Sequence, residues 1–350
     1  MQITSHKFGT FYNQAVNKIH LENDRGMSAQ IIELGGIVTS MIVPDDKGVL
    51  ADVVLGFDDL KSYATDSHYF GALIGRVANR IEGAQFRLNN ETTHVDANAY
   101  QGRHCVHGGR FGYHHRVWRM DKTEKTDTYV AVTLVLDDKD GEEGFQNDVH
   151  VQARYELDNN NRLTLSFFAT ASGPTPISLT AHSYFNLQGH DTTSIANHSL
   201  TIFSKTLLEQ REDRLPNGQI ISTEGTRFSL SSPTLLQKIV SDGFEINHSY
   251  VIDETAQKPA QTLRRLAQLE AAGRHMQVWS NESTLHFYNG HNLDGVKGKG
   301  GTTYNRFAGL CLEPKGFVNG INEPAFPCCI IDQETPYHHS IMYDFGNASH

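Results

Sequence analysis

Apolar and polar residues alternate through much of the chain. Val149, Val151, Ala153, Tyr155 and Leu157 take every second position, and Leu163, Leu165 and Phe167 repeat the pattern just afterwards. Asp158-Asn159-Asn160-Asn161 lies between the two runs. A period of two, interrupted by polar turn residues, predicts a hairpin with one buried face. Residues 129–136 form another β-rich run, closed by the acidic turn Asp137-Asp138-Lys139-Asp140-Gly141. Residues 30–43 read as two strand pieces broken at Gly35-Gly36, and residues 340–345 as the last strand. Helix signals are few. Residues 232–239 carry an N-cap serine and a first-turn proline, Ser232-Pro233, and so predict a short helix. Residues 263–270 fit either a helix or a strand that turns at Ala271-Ala272-Gly273. There is no internal repeat, low-complexity tract or Pro-rich linker. Thirty glycines scattered between short strands suit an all-β fold, a large antiparallel β-sandwich, with residues 1–350 as one domain.

Composition narrows the function. Apolar residues make up 38% of the 350, and no run approaches the ~18 needed to span a bilayer. The N-terminus, Met1-Gln2-Ile3-Thr4-Ser5-His6-Lys7, has no apolar core of a secretory signal, so a cytoplasmic location is expected. A formal net charge of -10 argues against nucleic acid or an anionic membrane as partner. It also weighs, more weakly, against a highly phosphorylated substrate. Cys105, Cys311, Cys328 and Cys329 fit neither a zinc template nor a disulfide framework, and adjacent cysteines bridge each other only under strain. Four reduced thiols are expected.

Within this frame, one stretch stands out chemically: Gly309-Leu310-Cys311-Leu312-Glu313-Pro314-Lys315-Gly316-Phe317. It sets a lone carboxylate, Glu313, at the end of an apolar run, where a charge is costly to bury. Thr180-Ala181-His182-Ser183-Tyr184-Phe185-Asn186-Leu187 places a histidine in a similar setting. A buried Glu and a buried His that converge would make a general base and a general acid. Each also has a plain structural alternative: an ion pair for Glu313, a satisfied core side chain for His182.

Two further segments add polar groups near glycines. Gly75-Arg76-Val77-Ala78-Asn79-Arg80-Ile81 offers planar donors to an oxygen-rich ligand, or is a surface turn with solvated arginines. His104-Cys105-Val106-His107-Gly108-Gly109 offers two histidines for a metal, for a sugar hydroxyl or for a turn, and lacks further ligands in a metal-binding pattern. His114-His115 and His338-His339 sit in polar contexts and read as solvated. Trp118, Trp279, Tyr184, Phe287 and Phe317 are candidate platforms for the C–H face of a sugar, although large aromatics more often fill cores.

Together these segments carry a resemblance. The chain is similar to the aldose 1-epimerase (galactose mutarotase) family over nearly its whole length, from Ile32-Glu33-Leu34-Gly35-Gly36 to Tyr343-Asp344-Phe345. The specific blocks are Gly75-Arg76-Val77-Ala78-Asn79-Arg80-Ile81, Val106-His107-Gly108-Gly109, His182-Ser183-Tyr184-Phe185-Asn186-Leu187 and Leu312-Glu313-Pro314, in the family's order.

The resemblance implies a large antiparallel β-sandwich with a sugar in an open cleft. It implies Glu313 as the base that takes the anomeric hydroxyl proton and His182 as the acid that protonates the ring oxygen. The ring then opens, the C1–C2 bond rotates, and the ring recloses on its other face. Asn79, Arg80 and His107 would hold the sugar, with Tyr184 beside them. No metal and no organic cofactor are implied. Two positions depart from the family pattern. Asn247, within Glu245-Ile246-Asn247-His248-Ser249-Tyr250, stands where an acidic sugar-binding residue is usual. His286, within Leu285-His286-Phe287-Tyr288, stands where Gln is common. Both belong to the binding shell, so they bear on the substrate more than on the reaction. The expected activity is anomer interconversion of a free hexose, galactose or glucose, by a monomer or homodimer. The rivals are an epimerase for another aldose or a hexose 6-phosphate, and a non-catalytic sugar-binding protein on the same fold.

Overall fold

The structure, a computed structural model, describes residues 1–252 and 262–346. Three antiparallel sheets carry most of it. The hairpin read from the alternating run is present: Val149–Asp158 pairs with Arg162–Ala171, and buried residues alternate with half-buried or exposed ones along both strands. It lies in a nine-stranded sheet that also contains Arg119–Lys125, Tyr129–Asp138, Tyr337–Asp344, Arg274–Ser280 and Arg264–Ala271. A five-stranded sheet folds up from the first 52 residues, from Gln2–Phe11 to Leu50–Asp52. It includes the two pieces Ser28–Ile32 and Val38–Pro44 on either side of the predicted Gly35-Gly36 break. The third sheet has six strands, in the order Tyr184–Phe185, Leu310–Lys315, Thr284–Tyr288, Asn247–Val251, Thr206–Gln210 and Pro216–Ser222.

All three sheets turn one face into a shared core. Ile19, Leu21 and Ile31 come from the five-stranded sheet, Val132, Leu134, Val151 and Leu165 from the nine-stranded one, and Leu285, Phe287, Leu310 and Leu312 from the six-stranded one. Burying each such side chain stabilises the fold by about 1.5–3 kcal/mol. That is why the alternation is legible in the sequence: every second residue must be apolar for the layers to close.

Several expectations need correction. Residues 232–239 are not one helix. Thr234–Leu235 is a two-residue strand at the edge of the large sheet, and the helix is the single turn Gln237–Val240, capped by Leu236 without a side-chain bond. Pairing of Leu200 with Thr234 takes the segment that Ser232-Pro233 would otherwise start as a helix. The ambiguous residues 263–270 are a strand, Arg264–Ala271, because Ala267, Leu269 and Ala271 alternate into the core, with Leu266 joining them from a bulge. The last strand starts earlier than expected, at Tyr337. His339 is not solvated: it is buried, stacked on Phe167, with Nε2 3.0 Å from Ser280 Oγ. His338, its neighbour on the opposite strand face, is exposed. Trp118 and Phe287 are core, and Phe317 packs in a small cluster with Phe326. Trp279 lies half-buried on the outer face of the nine-stranded sheet. No helix among the described residues is long and apolar enough to cross a membrane.

Candidate active site

Three neighbouring strands of the six-stranded sheet build the floor of a polar cleft. Side chains on a strand alternate between faces. On Leu310–Lys315 the residues Cys311, Glu313 and Lys315 therefore share the face opposite the core residues Leu310 and Leu312. The register sets Tyr288, His286 and Thr284 directly opposite them. The next strand sets Asn247 opposite Tyr288, and Ser249 opposite His286. His182 enters from the side. It lies between Thr180–Ala181 and Tyr184–Phe185, and its backbone is held by bonds from its N–H to Ala72 O and from Gly71 N–H to its own carbonyl. Gly71 has φ 70°, and a Cβ there would strike the Val38 carbonyl, so the close approach requires glycine.

The rim comes from two clamped loops. Arg80 pairs with Val106 and Ile81 with Cys105, and His107 N–H donates to Asn79 O. Asn79, His107 and Tyr69 all have positive φ, between 55° and 64°. Left-handed backbone at three non-glycine residues around one cleft is the kind of local strain that clusters at functional sites. Gly108 follows His107 with φ 81°, and a Cβ there would strike the Gly75 carbonyl.

The cleft encloses about 560 Å³, counted out to solvent. It is lined by all eight residues expected from the sequence: Asn79, Arg80, His107, His182, Tyr184, Asn247, His286 and Glu313. Tyr69, His68, Tyr288 and Asn292 also line it, and these were missed. Tyr69 packs against the rings of His107, His114 and His182 at 4.7–5.7 Å between centroids. Nothing in its local sequence, Ser67-His68-Tyr69-Phe70, separates it from a core tyrosine.

At the floor, His182 Nε2 is 3.6 Å from Glu313 Oε1, an ion-pair distance too long for a good hydrogen bond. Glu313 is 1% exposed, and its Oε2 makes no hydrogen bond within the described protein. Burial pushes its carboxyl above the usual range, while His182, Lys315 and Arg80 pull it back down. Tyr184 stacks on the His182 ring at 5.3 Å. Arg80 donates from Nη1 to Asn79 Oδ1, and its buried Nε has no partner within the described protein. Asn247 Oδ1 is 2.6 Å from His286 Nε2.

The two arginines of the glycine loop part company. Arg76 is buried away from the cleft, bonded through Nε to Asp138 at 2.7 Å and through Nη1 to Gln146 O and Thr175 Oγ1. His104, considered as a metal ligand, is also elsewhere: Nδ1 accepts from Gly83 N–H, and Nε2 is 3.6 Å from Asp213. His114 is half-buried against Tyr69 rather than solvated, and burial pushes it down to about 3.

One metal-capable trio does form among the described residues. His182, Cys311 and Glu313 have ligand atoms within 4.8 Å of one another. Spacing along the sequence hid it, because His182 lies far from the other two. Burial holds the Cys311 thiol well above its ordinary pKa, so the thiolate that a thiophilic metal needs is disfavoured. The thiol instead lies 3.6 Å from His182 Nδ1. A second hollow, between Ile177, Phe317, Pro327 and Cys328, has little acid–base equipment. Its Glu282 accepts from Tyr337 Oη at 2.7 Å.

Known proteins resemble this chain in sequence and in fold. Residues 17–344 match the family described as aldose 1-epimerase. The galactose mutarotase of Mus musculus is 35% identical over 338 residues, covering 95% of each chain. The aldose 1-epimerase of Escherichia coli K12 is 28% identical over 322 residues, covering 90% of each. Among solved structures, an aldose epimerase homologue from C. elegans superposes with a TM-score of 0.84 at 25% identity, covering 94% of this chain and 98% of that one. A match to the family along almost the whole chain, joined to relatives above 30% identity, places this chain in the aldose 1-epimerase family.

Proposed function

We propose that the chain interconverts the α and β anomers of a free aldose, with galactose and glucose as the first substrates to test. The observation that carries this is the facing of Glu313 and His182 across the floor of a cleft lined by hydroxyl-binding groups. The two oxygens that must exchange protons, the anomeric hydroxyl and the ring oxygen, are bonded to one carbon. An acid and a base only 3.6 Å apart can therefore address both without moving.

Glu313 takes the anomeric proton. Its raised carboxyl makes it a better base than a solvated glutamate, while the charges of Lys315 and Arg80 oppose that rise. His182, protonated on Nε2, gives its proton to the ring oxygen as the C1–O bond breaks. The open-chain aldehyde rotates about C1–C2, and the same pair runs in reverse to close the ring. Asn79, Arg80 and His107 hold hydroxyls, and Tyr184 steadies the His182 ring. The protein supplies both protonation states, so the sequence of steps needs no metal or organic cofactor.

Arg80 is the one Arg or Lys among the residues lining the cleft. A single guanidinium suits hydroxyl oxygens and argues against a hexose 6-phosphate, which would call for clustered cations. Cys105, Cys311 and Cys328, free of disulfides, fit a reducing cytoplasm, and the net charge of -10 fits a protein that avoids nucleic acid and anionic membranes. Nothing in the cleft as built requires a second subunit, so a monomer or a homodimer would serve. Polarimetry on freshly dissolved α-galactose and α-glucose tests the activity. The approach to equilibrium should accelerate in proportion to enzyme, and a protein that binds sugar without accelerating it would be the non-catalytic rival.

A further inference from the structure

Behind Asn247 lies a file of buried polar side chains that exchange no proton with the sugar in the steps above. Lys315 Nζ donates to Ser249 Oγ at 3.2 Å. Ser249 Oγ is 2.9 Å from His286 Nδ1, and His286 Nε2 is 2.6 Å from Asn247 Oδ1. Lys315 and Ser249 are fully buried and His286 is 3% exposed. Placing an ammonium in such a site is costly, and a lysine that only filled space there would be outcompeted by an apolar side chain.

The direction of each bond in this file can be worked out. An ammonium has only donors, so it fixes Ser249 Oγ as an acceptor. The serine's own proton then needs an acceptor, and His286 Nδ1 is the one within hydrogen-bond distance among the described residues. An accepting Nδ1 is bare. The neutral ring must then carry its proton on Nε2 and donate it to Asn247 Oδ1. The opposite polarity would leave a buried serine proton unsatisfied, at a cost comparable to a lost hydrogen bond. Burial, helped by the charges of Lys315, Arg80 and His248, holds His286 well below its ordinary pKa, in keeping with a neutral ring. With its oxygen taken by His286, Asn247 has its amide N–H₂ left for the cleft, and Nδ2 makes no hydrogen bond within the described protein.

We infer that Lys315, Ser249 and His286 are positioning residues that fix the Asn247 amide with its nitrogen toward the sugar, so that this edge of the cleft donates a hydrogen bond to a sugar oxygen. This rests on the activity proposed above and deepens it. An acidic side chain at position 247 could only accept from a sugar hydroxyl. Here the hydroxyl acts as acceptor, and the cleft selects aldoses by an oxygen that receives a proton rather than one that gives it. Substrates with an acceptor but no proton at that position remain acceptable.

Two measurements test it. The first is the ¹⁵N spectrum of the His286 ring, identified by its loss in His286→Gln. The ring should be the Nε2–H tautomer in the intact protein, should become a mixture of tautomers in Ser249→Ala, and should return in Ser249→Thr. A ring protonated on Nδ1, or one unmoved by Ser249→Ala, would overturn the relay. The second uses galactose analogues in which the 3-, 4- or 6-hydroxyl is replaced by hydrogen or by fluorine, which accepts but cannot donate. At one of these positions the deoxy sugar should lose KM several-fold while the fluoro sugar stays close to galactose. In Asn247→Asp both should lose alike, with kcat changed less than KM. Equal losses for deoxy and fluoro sugars at every position of the unaltered protein would overturn the donor assignment. The ring spectrum needs no turnover. A protein with the Nε2–H ring that accelerates mutarotation of no sugar would sink the activity and leave the relay standing.

Discussion

His182 Nε2 and Glu313 Oε1 stand 3.6 Å apart at the buried floor of one cleft, although 131 positions separate them in the chain. If they are the acid and the base, each is needed in every turnover. Glu313→Gln and His182→Asn should each lower kcat by on the order of 10²–10⁴ and leave the fold intact. Polarimetry with circular dichroism on the same samples checks both halves. Near-normal rates in either folded variant would remove that residue from the chemistry.

The pH profile has a definite sign. A base must be deprotonated to act, and burial holds the Glu313 carboxyl above the usual glutamate range. Activity should therefore fail on the acid side at a higher pH than an ordinary glutamate would dictate. Lys315 is among the charges that pull Glu313 back down. Removing it, in Lys315→Met, should move the acid limb of kcat/KM to still higher pH. An acid limb at the same place in both proteins would show that Lys315 does not act on the base.

Asn247→Asp should act on binding. A hydrogen bond to a charged group is worth about 1.5–3 kcal/mol and a neutral one about 0.5–1.5, so the exchange is worth roughly 1 kcal/mol, several-fold in KM. The ranking of galactose, glucose and xylose should shift, with a smaller effect on kcat. Identical constants for all three sugars would place Asn247 outside the binding shell.

Dialysis against a strong chelator should leave the rate unchanged, because the Cys311 thiol is held neutral beside His182. Loss of activity, restored by one divalent ion, would make His182, Cys311 and Glu313 a metal site.

The two loop arginines should fail in different ways. Arg76 is bonded to Asp138 in the interior, so Arg76→Met leaves that buried carboxylate to Arg116 and Tyr113 alone and should lower stability. Arg80→Met should instead raise KM, with less effect on thermal unfolding. Urea melts and steady-state kinetics on the two variants separate these outcomes.

The alternation at Val149, Val151 and Ala153 was readable because a half-buried strand imposes it residue by residue. The proposed acid–base pair stood out in the sequence because a lone Glu and a lone His in apolar runs are costly to bury. Arg76 and Arg80 could not be told apart, since the partner that claims Arg76, Asp138, is 62 positions away. His339 looked solvated beside His338 for the same kind of reason: a strand sends neighbours to opposite faces, and only its pairing tells which is inside. Tyr69 carries no local mark at all, its role being set by a positive φ and by rings brought from elsewhere. Ser249 and Lys315 were passed over because their meaning lies in a file of bonds across three strands.

The strand Leu310–Lys315 sorts its residues by parity. Cys311, Glu313 and Lys315 lie on the cleft side of the sheet, with Glu313 lining the cleft itself, and Leu310 and Leu312 face the core. Substitution can revise one position of such a strand at a time, but a change of length cannot. Deleting one residue ahead of Glu313 while keeping the pairing with Thr284–Tyr288 would present leucines to the sugar and drive the carboxylate and the ammonium into the hydrophobic layer. New sugar preferences in this scaffold are therefore open to point changes on the adjoining strands, and to insertions in the rim loops, while the spacing from Leu310 to Lys315 is not free to vary.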